Sequence, residues 1–225
     1  MISLLMPYRP DQGPRDQIFE WTLRYWRSLL PAAQFSVADT EGELFNRSAA
    51  RNRAFRQSKG DILVIVDADT VIPRTQFLDA WGLVQSGEVP WAIPYTVYYN
   101  MCKEDTDSLL GQRSGKLIEP IRWEHRLTDS VAGVLIVPRA AFEYVNGYDE
   151  RFTGWGGEDR AFAMALDSLW GRHGRSDGYV IHLWHPRGDA DFIQPSWPQN
   201  AQLLRQYQGA GVNPLLMRRL VTHEG

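Results

Sequence analysis

Residues 61–70, DILVIVDADT, constrain the fold more than any other stretch of the chain. Residues 62–66 are apolar, mostly β-branched and introduced by Lys59, Gly60 and Asp61. Such a run is too short for a helix and suits a buried parallel strand. Alternate residues of a strand share a face. A strand continuing through Asp69 would therefore bring Asp67 and Asp69 out side by side at its carboxyl end, where open α/β sheets bind ligands. Adjacent carboxylates repel unless a proton or cation lies between them, so a hard divalent metal is one economical reading. A strand followed by an aspartate-rich turn is the other, and the stretch alone leaves both open.

A chain of 225 residues can form one sizeable domain or two small ones. Its net charge of −3 argues against a general polyanion binder while leaving room for local basic patches. All basic residues except Lys59, Lys103 and Lys116 are arginine. That suits bidentate phosphate recognition, although a GC-rich genome produces the same bias. Cys102 is the only cysteine, which excludes an intrachain disulfide and a thiolate metal cluster. The opening MISLLMPYRP is too short for a signal-peptide core or a membrane span, and no later segment reaches spanning length. A soluble, cytoplasmic protein is the expectation.

Elsewhere the pattern predicts alternating strands and helices. Residues 2–6 read as a first strand stopped by Pro7, leaving Tyr8 to stack on a base and Arg9 to meet a phosphate. Residues 16–30 read as a helix, with Ile18, Phe19, Trp21, Leu23, Trp26 and Leu30 available for its buried face, and residues 34–38 as a second strand. FNRSAARNRAF, from Phe45, reads as a helix carrying Arg47, Arg51 and Arg53 near its amino end, where positive charge opposes the dipole. A phosphate partner or a solvated arginine face would each account for them. Residues 73–86 predict a helix and 91–99 a strand. Residues 100–130 predict a long irregular connection of the kind that carries function. Within it GQRSGK fails as a phosphate loop, with one residue too few before Gly115-Lys116 and Leu117 in place of a hydroxyl residue.

Residues 131–137 predict a strand with Gly133 at a point of close approach, and 139–144 a helical turn. In FTGWGGEDRAF, Gly154, Gly156 and Gly157 free the backbone around Trp155, whose indole face suits a sugar ring. Glu158 and Asp159 begin a helix running to about residue 169, a place where the dipole favours acids whatever their function. Residues 179–184 predict a strand with His182 and His185 bracketing its end. Either a structural or a metal-ligand role is open to them. A modest helix follows near residues 199–207.

Pro7-Tyr8-Arg9, Phe45-Asn46-Arg47, Asp67-Ala68-Asp69, Trp155-Gly156-Gly157-Glu158-Asp159 and a late histidine occur in one order. That order resembles the β-1,4-galactosyltransferase and chondroitin-synthase group of GT-A-fold glycosyltransferases, over residues 4–185. The resemblance implies one α/β domain of GT-A (Rossmann-like) type, its mixed, mostly parallel central sheet flanked by helices. It divides the chain into a nucleotide-sugar half (1–99), a variable loop (100–130), an acceptor and catalytic half (131–190) and a tail with a helix (191–225).

The implied activity is metal-dependent, inverting transfer from a nucleoside-diphosphate sugar, a UDP-sugar above all, to a hydroxyl acceptor. A glycan, a protein, a lipid-linked sugar or a modified nucleobase would each fit as acceptor. Carried over by position, Pro7, Tyr8, Arg9, Phe45, Arg47, Asp67, Ala68, Asp69 and Gly133 would hold the donor. Asp69 would ligate Mn2+ or Mg2+ with His185, or with His182 as second choice. Trp155, Gly156, Gly157 and Glu158 would bind the acceptor, and Asp159 would be the catalytic base. The chain departs from the pattern at Pro10 and Asp11, where the group has a further arginine, and in the short segment between Asp159 and the late histidine. Two alternatives stand beside this reading. A sugar-nucleotide nucleotidyltransferase would carry a glycine-rich loop and lysine where Pro7–Arg9 stands. A non-catalytic sugar binder of the same fold sits poorly with intact Asp67, Asp69, Glu158 and Asp159.

Overall fold

The computed structural model describes residues 1–42, 45–112, 117, 122–186 and 196–224. The chain begins with β1 (Ile2–Pro7), α1 (Pro14–Leu29), β2 (Gln34–Ala38), α2 (Arg47–Gln57) and β3 (Ile62–Val66). β1 pairs in parallel with both β2 and β3. The sheet continues through β8 (Val134–Pro138), β5 (Ala92–Ile93) and β9 (Gly174–Arg175), in the order β2-β1-β3-β8-β5-β9. β8 runs antiparallel to β3 and β5, while β5 and β9 are parallel. This is the expected mixed, mostly parallel sheet.

Leu63, Val64 and Val66 are wholly buried because β3 has a strand on either side and packed faces above and below. Helix α2 packs on β1 and β2, and α3 (Arg74–Gln85) and α5 (Arg139–Tyr144) on β8. Helix α6 (Glu158–Leu169) packs against α7 (Trp197–Ala210) and α8 (Pro214–Thr222). Trp21 and Trp26 of α1 are fully buried, and the Trp26 indole donates to the Thr70 carbonyl at 2.9 Å.

A smaller sheet orders β4 (Thr70–Val71), β10 (Tyr179–His182), β6 (Val97–Met101) and β7 (Trp123–Leu127). It corrects two expectations. Residues 91–99 are not one strand: β5 belongs to the main sheet and β6 to the second, with Pro94 between them, which has no N–H to extend a ladder. Residues 100–130 are not irregular throughout, since they hold the end of β6, helix α4 (Lys103–Leu110) and β7. Most of GQRSGK, Lys116 included, lies outside the described residues. The expected strand at 131–137 starts only at Val134, and the tail carries α8 in addition to a longer α7. Among the described residues no helix is long and apolar enough to cross a membrane.

Candidate active site

The site forms where β1, β2 and β3 end. β3 stops at Val66, and the Thr70 amide donates to the Asp67 carbonyl at 3.2 Å, closing a turn over Asp67, Ala68 and Asp69. The two aspartates therefore do not leave a common strand face, and the shared-cation reading of the pair is overturned. Asp67 accepts from Arg51 Nη2 at 2.7 Å. Asp69 points the other way, into a group of histidines.

That turn is held from three directions. Its Asp67 amide donates to the Gly133 carbonyl at 3.0 Å, and β4 is anchored by the Trp26 bond. Gly133 has φ of +90°, and a Cβ there would lie 3.0 Å from the Tyr98 ring and 3.1 Å from Thr70 Cγ2. What approaches this glycine closely is thus the protein's own packing. The Leu183 amide donates to the Asp69 carbonyl at 2.8 Å, and β10 pairs His182 with Thr70. Those bonds carry the end of β10 onto the turn. His185 Nε2 comes within 3.4 Å of Asp69 Oδ2, and His182 Nε2 within 3.6 Å.

The three side chains each offer a ligand atom, and these atoms all lie within 4.8 Å of one another. One carboxylate oxygen with two imidazole nitrogens is a donor set for a borderline divalent cation. Burial raises the Asp69 carboxyl, but the neighbouring imidazoles outweigh it and hold the group well below the usual carboxylate range. Arg15 of α1 approaches the same carboxylate at 4.0 Å.

On the acceptor side, α6 begins after Gly157, whose φ is +99°. A Cβ on Gly157 would lie 2.8 Å from the Phe152 ring. Gly157→Ala is therefore expected to destabilise the protein by about 1–3 kcal/mol, read as a lowered denaturation midpoint. A midpoint equal to wild type would show that the loop does not need this backbone conformation. Glu158 is 4% exposed and accepts from the Gly156 amide at 3.1 Å. Trp155 and Trp197 stack in parallel at 5.5 Å and are 42% and 51% exposed. Asn200 of α7 fastens this loop by donating to the Thr153 carbonyl at 2.8 Å and the Trp155 carbonyl at 3.2 Å.

Arg51 joins the two sides. It is 1% exposed, and its Nη1 lies 3.1 Å from Asp159 and 3.6 Å from Glu158 while Nη2 holds Asp67. Arg47 Nη1 adds a longer contact to Glu158 at 3.7 Å. Arg51 is therefore neither a phosphate ligand nor part of a solvated face. Burial pushes the Asp159 carboxyl up to about 8; Arg51 opposes this, and the charges of Glu158 and Asp67 reinforce it. With three carboxyl groups against two arginines, the charge balance favours the neutral form of one of them.

The expected donor residues are only partly gathered. Pro7 ends β1, paired with Ala38. Tyr8 is 6% exposed, stacks on Phe19 at 3.8 Å and donates to Asp16. Arg9 lies over the Phe45 ring at 5.4 Å and donates to Asp39 at 2.8 Å and to the carbonyls of Thr40 and Gly42. Arg53 donates to the Asp39 carbonyl at 3.3 Å. Tyr8, Arg15, Ile18, Ala68, Asp69 and His185 line one recess. Arg15 escaped the sequence reading because the helix starts at Pro14, one residue before it. Trp197 escaped because nothing in its local pattern ties it to residues 152–162.

Residues 33–145, half of the chain, match the model of glycosyl transferase family 2. Residues 112–179 match a model described as the N-terminal domain of galactosyltransferase. No curated protein matches the sequence. Among solved structures, S. aureus TarS 1-349 in complex with UDP-GlcNAc is similar over 99% of this chain and 70% of that one, with a TM-score of 0.55 and 11% identity. That likeness is one of fold. The catalytic domain of Drosophila beta1,4-galactosyltransferase 7 in complex with xylobiose gives 15% identity and a TM-score of 0.48, covering 78% of this chain and 63% of that chain. A mutant of the same enzyme, in complex with manganese, UDP-Gal and xylobiose, gives 14% and 0.46 with the same coverage. The chain thus spans less than two thirds of these two Drosophila structures. With the mixed sheet, the half-chain match and a TarS-like fold together, the chain belongs to glycosyl transferase family 2 and has the GT-A glycosyltransferase architecture.

Proposed function

We propose that the protein is a divalent-metal-dependent, inverting glycosyltransferase that moves a sugar from a UDP-sugar to a hydroxyl acceptor. One observation carries this reading. A carboxylate–bis-imidazole cluster, Asp69 with His182 and His185, shares the carboxyl edge of β1 and β3 with an acidic pair, buried Glu158 and partly exposed Asp159. Arg51 ties the two together through Asp67.

Asp69, His182 and His185 would hold the ion, Mn2+ by donor chemistry and Mg2+ less readily, since imidazole suits the softer of the two. When bound, that ion supplies positive charge to the leaving diphosphate. Arg15, 4.0 Å from Asp69, is the cation best placed to add to it, because Arg9 already spends donors on Asp39, Thr40 and Gly42. Arg9 and Phe45 then shape the nucleotide side, Asp67 faces the ribose, and Pro7, Tyr8, Ala68 and Gly133 back the pocket. Arg47, drawn toward Glu158, closes it.

On the opposite side Asp159 accepts the proton of the acceptor hydroxyl as its oxygen bonds the anomeric carbon. The bond from that carbon to the β-phosphate oxygen breaks with its electron pair on UDP. One displacement by one base inverts the anomeric centre. Glu158 hydrogen-bonds the acceptor, and the half-exposed Trp155 face receives its ring.

A thermal-shift screen of UDP-galactose, UDP-glucose and UDP-GlcNAc, each with and without Mn2+, tests this. A donor at about 100 times its Kd is expected to stabilise the fold by about 2.7 kcal/mol only when Mn2+ is present. Equal stabilisation by donor with and without the ion would contradict the metal-dependent reading.

A further inference from the structure

A buried arginine with no ligand of its own sits between the two halves of the site, and the chemistry above gives it no part. Arg51 comes from the middle of α2, is 1% exposed, and lies over the Tyr148 ring at 4.7 Å. Its Nη2 bonds Asp67 at 2.7 Å on the donor side. Its Nη1 approaches Asp159 at 3.1 Å on the acceptor side, off the line a hydrogen bond needs, so this link acts chiefly through charge. Burying a guanidinium is costly unless it is paired. Here the pairing spans two chain segments that meet only in the folded site, the turn after β3 and the start of α6.

We infer that Arg51 is a positioning residue for the transfer, its guanidinium favouring the charged form of the Asp159 carboxyl and keeping it in fixed register with the donor-side Asp67. The inference rests on the reading of Asp159 as base. The other groups facing Asp159 are Glu158 beside it on α6, Asp67 at the end of β3, Arg47 on α2, Tyr148 ahead of α6 and Tyr95 between β5 and β6. Only the two arginines favour its charged form. Arg47, 30% exposed and engaged with Glu158, is the weaker of them.

Geometry and charge can be separated by substitution. Lysine keeps the charge but cannot span two carboxylates as a planar fork does. Arg51→Met removes both. The first readout needs no substrate. Asp159 is pushed up to about 8, so its burial contributes stability that is full below the ordinary carboxylate range and lost as pH rises through about 8. The melting temperature of Asp159→Asn minus that of wild type should therefore climb with pH and level off near pH 8. In the Arg51→Met background the same difference is expected to level off about one pH unit or more higher. In Arg51→Lys it should level off close to wild type.

The second readout is UDP release from UDP-galactose, UDP-glucose or UDP-GlcNAc with Mn2+. Arg51→Lys is expected to lose about tenfold or more in kcat with its acid limb in place, whereas Arg51→Met loses rate and shifts the limb upward. A purely structural arginine would lower stability without moving the limb. An unshifted levelling-off and limb in Arg51→Met overturns the inference. Should Arg51→Met not fold, wild-type kcat in Arg51→Lys overturns it. If Asp159→Asn itself turns over at the wild-type rate, the base reading falls first and this one with it. An inactive Asp159→Asn beside an unshifted Arg51→Met removes Arg51 alone.

Discussion

Asp159→Asn is expected to lower the transfer rate at neutral pH by about 10²–10⁴-fold, the usual worth of a positioned general base. Stabilisation by UDP with Mn2+ should stay at its wild-type level, because Asp159 faces Arg51 and not the Asp69 cluster. The wild-type rate should rise with pH through about 8, the range to which burial pushes this carboxyl. The amide variant should be at least as stable as wild type at neutral pH and above, since it removes a charge for which the site has no full complement of cations. Activity that needs a strained, costly group is the common trade at a catalytic centre. A near wild-type rate, or an acid limb in the ordinary carboxylate range, would remove Asp159 as base.

The second large effect is expected at Asp69. Asp69→Asn takes away the one carboxylate that His182 and His185 share. Loss of a mere hydrogen-bond partner to a ligand costs about 10–100-fold in metal affinity, so loss of this ligand should cost about 100-fold or more. Titration of Mn2+ by calorimetry or by its EPR signal reads this directly, and UDP-sugar turnover should fall with it. The fold should survive, since the turn is held by backbone bonds to Gly133, Leu183 and Thr70 that the substitution leaves alone. Unchanged Mn2+ affinity in Asp69→Asn would place the ion elsewhere.

Which parts of the molecule the sequence could show follows from the range of the interactions involved. The run at 62–66 is legible as a buried strand because its neighbours on both sides leave no room for a polar residue. The start of α6 is legible because Gly157 and the acids after it are a local signal. Asp67 and Asp69 do not act as a pair because strand alternation stops at Val66, three residues short of Asp69, at a turn closed by the Thr70 amide. Arg51 stands among four arginines in residues 47–56, and nothing in that local pattern distinguishes the one whose side chain meets carboxylates from two distant segments. The two histidines were visible as candidates, but only the pairing of β10 with β4 brings both to Asp69. Trp197 and Arg15 likewise join the site through packing between elements remote in sequence.

The most direct test of the central claim is pulsed EPR of Mn2+ bound to the protein in the presence of UDP. Couplings to two imidazole nitrogens together with the phosphorus of the diphosphate are expected, one nitrogen coupling disappearing in each of His182→Ala and His185→Ala. A spectrum showing phosphorus and water but no imidazole nitrogen would contradict the account.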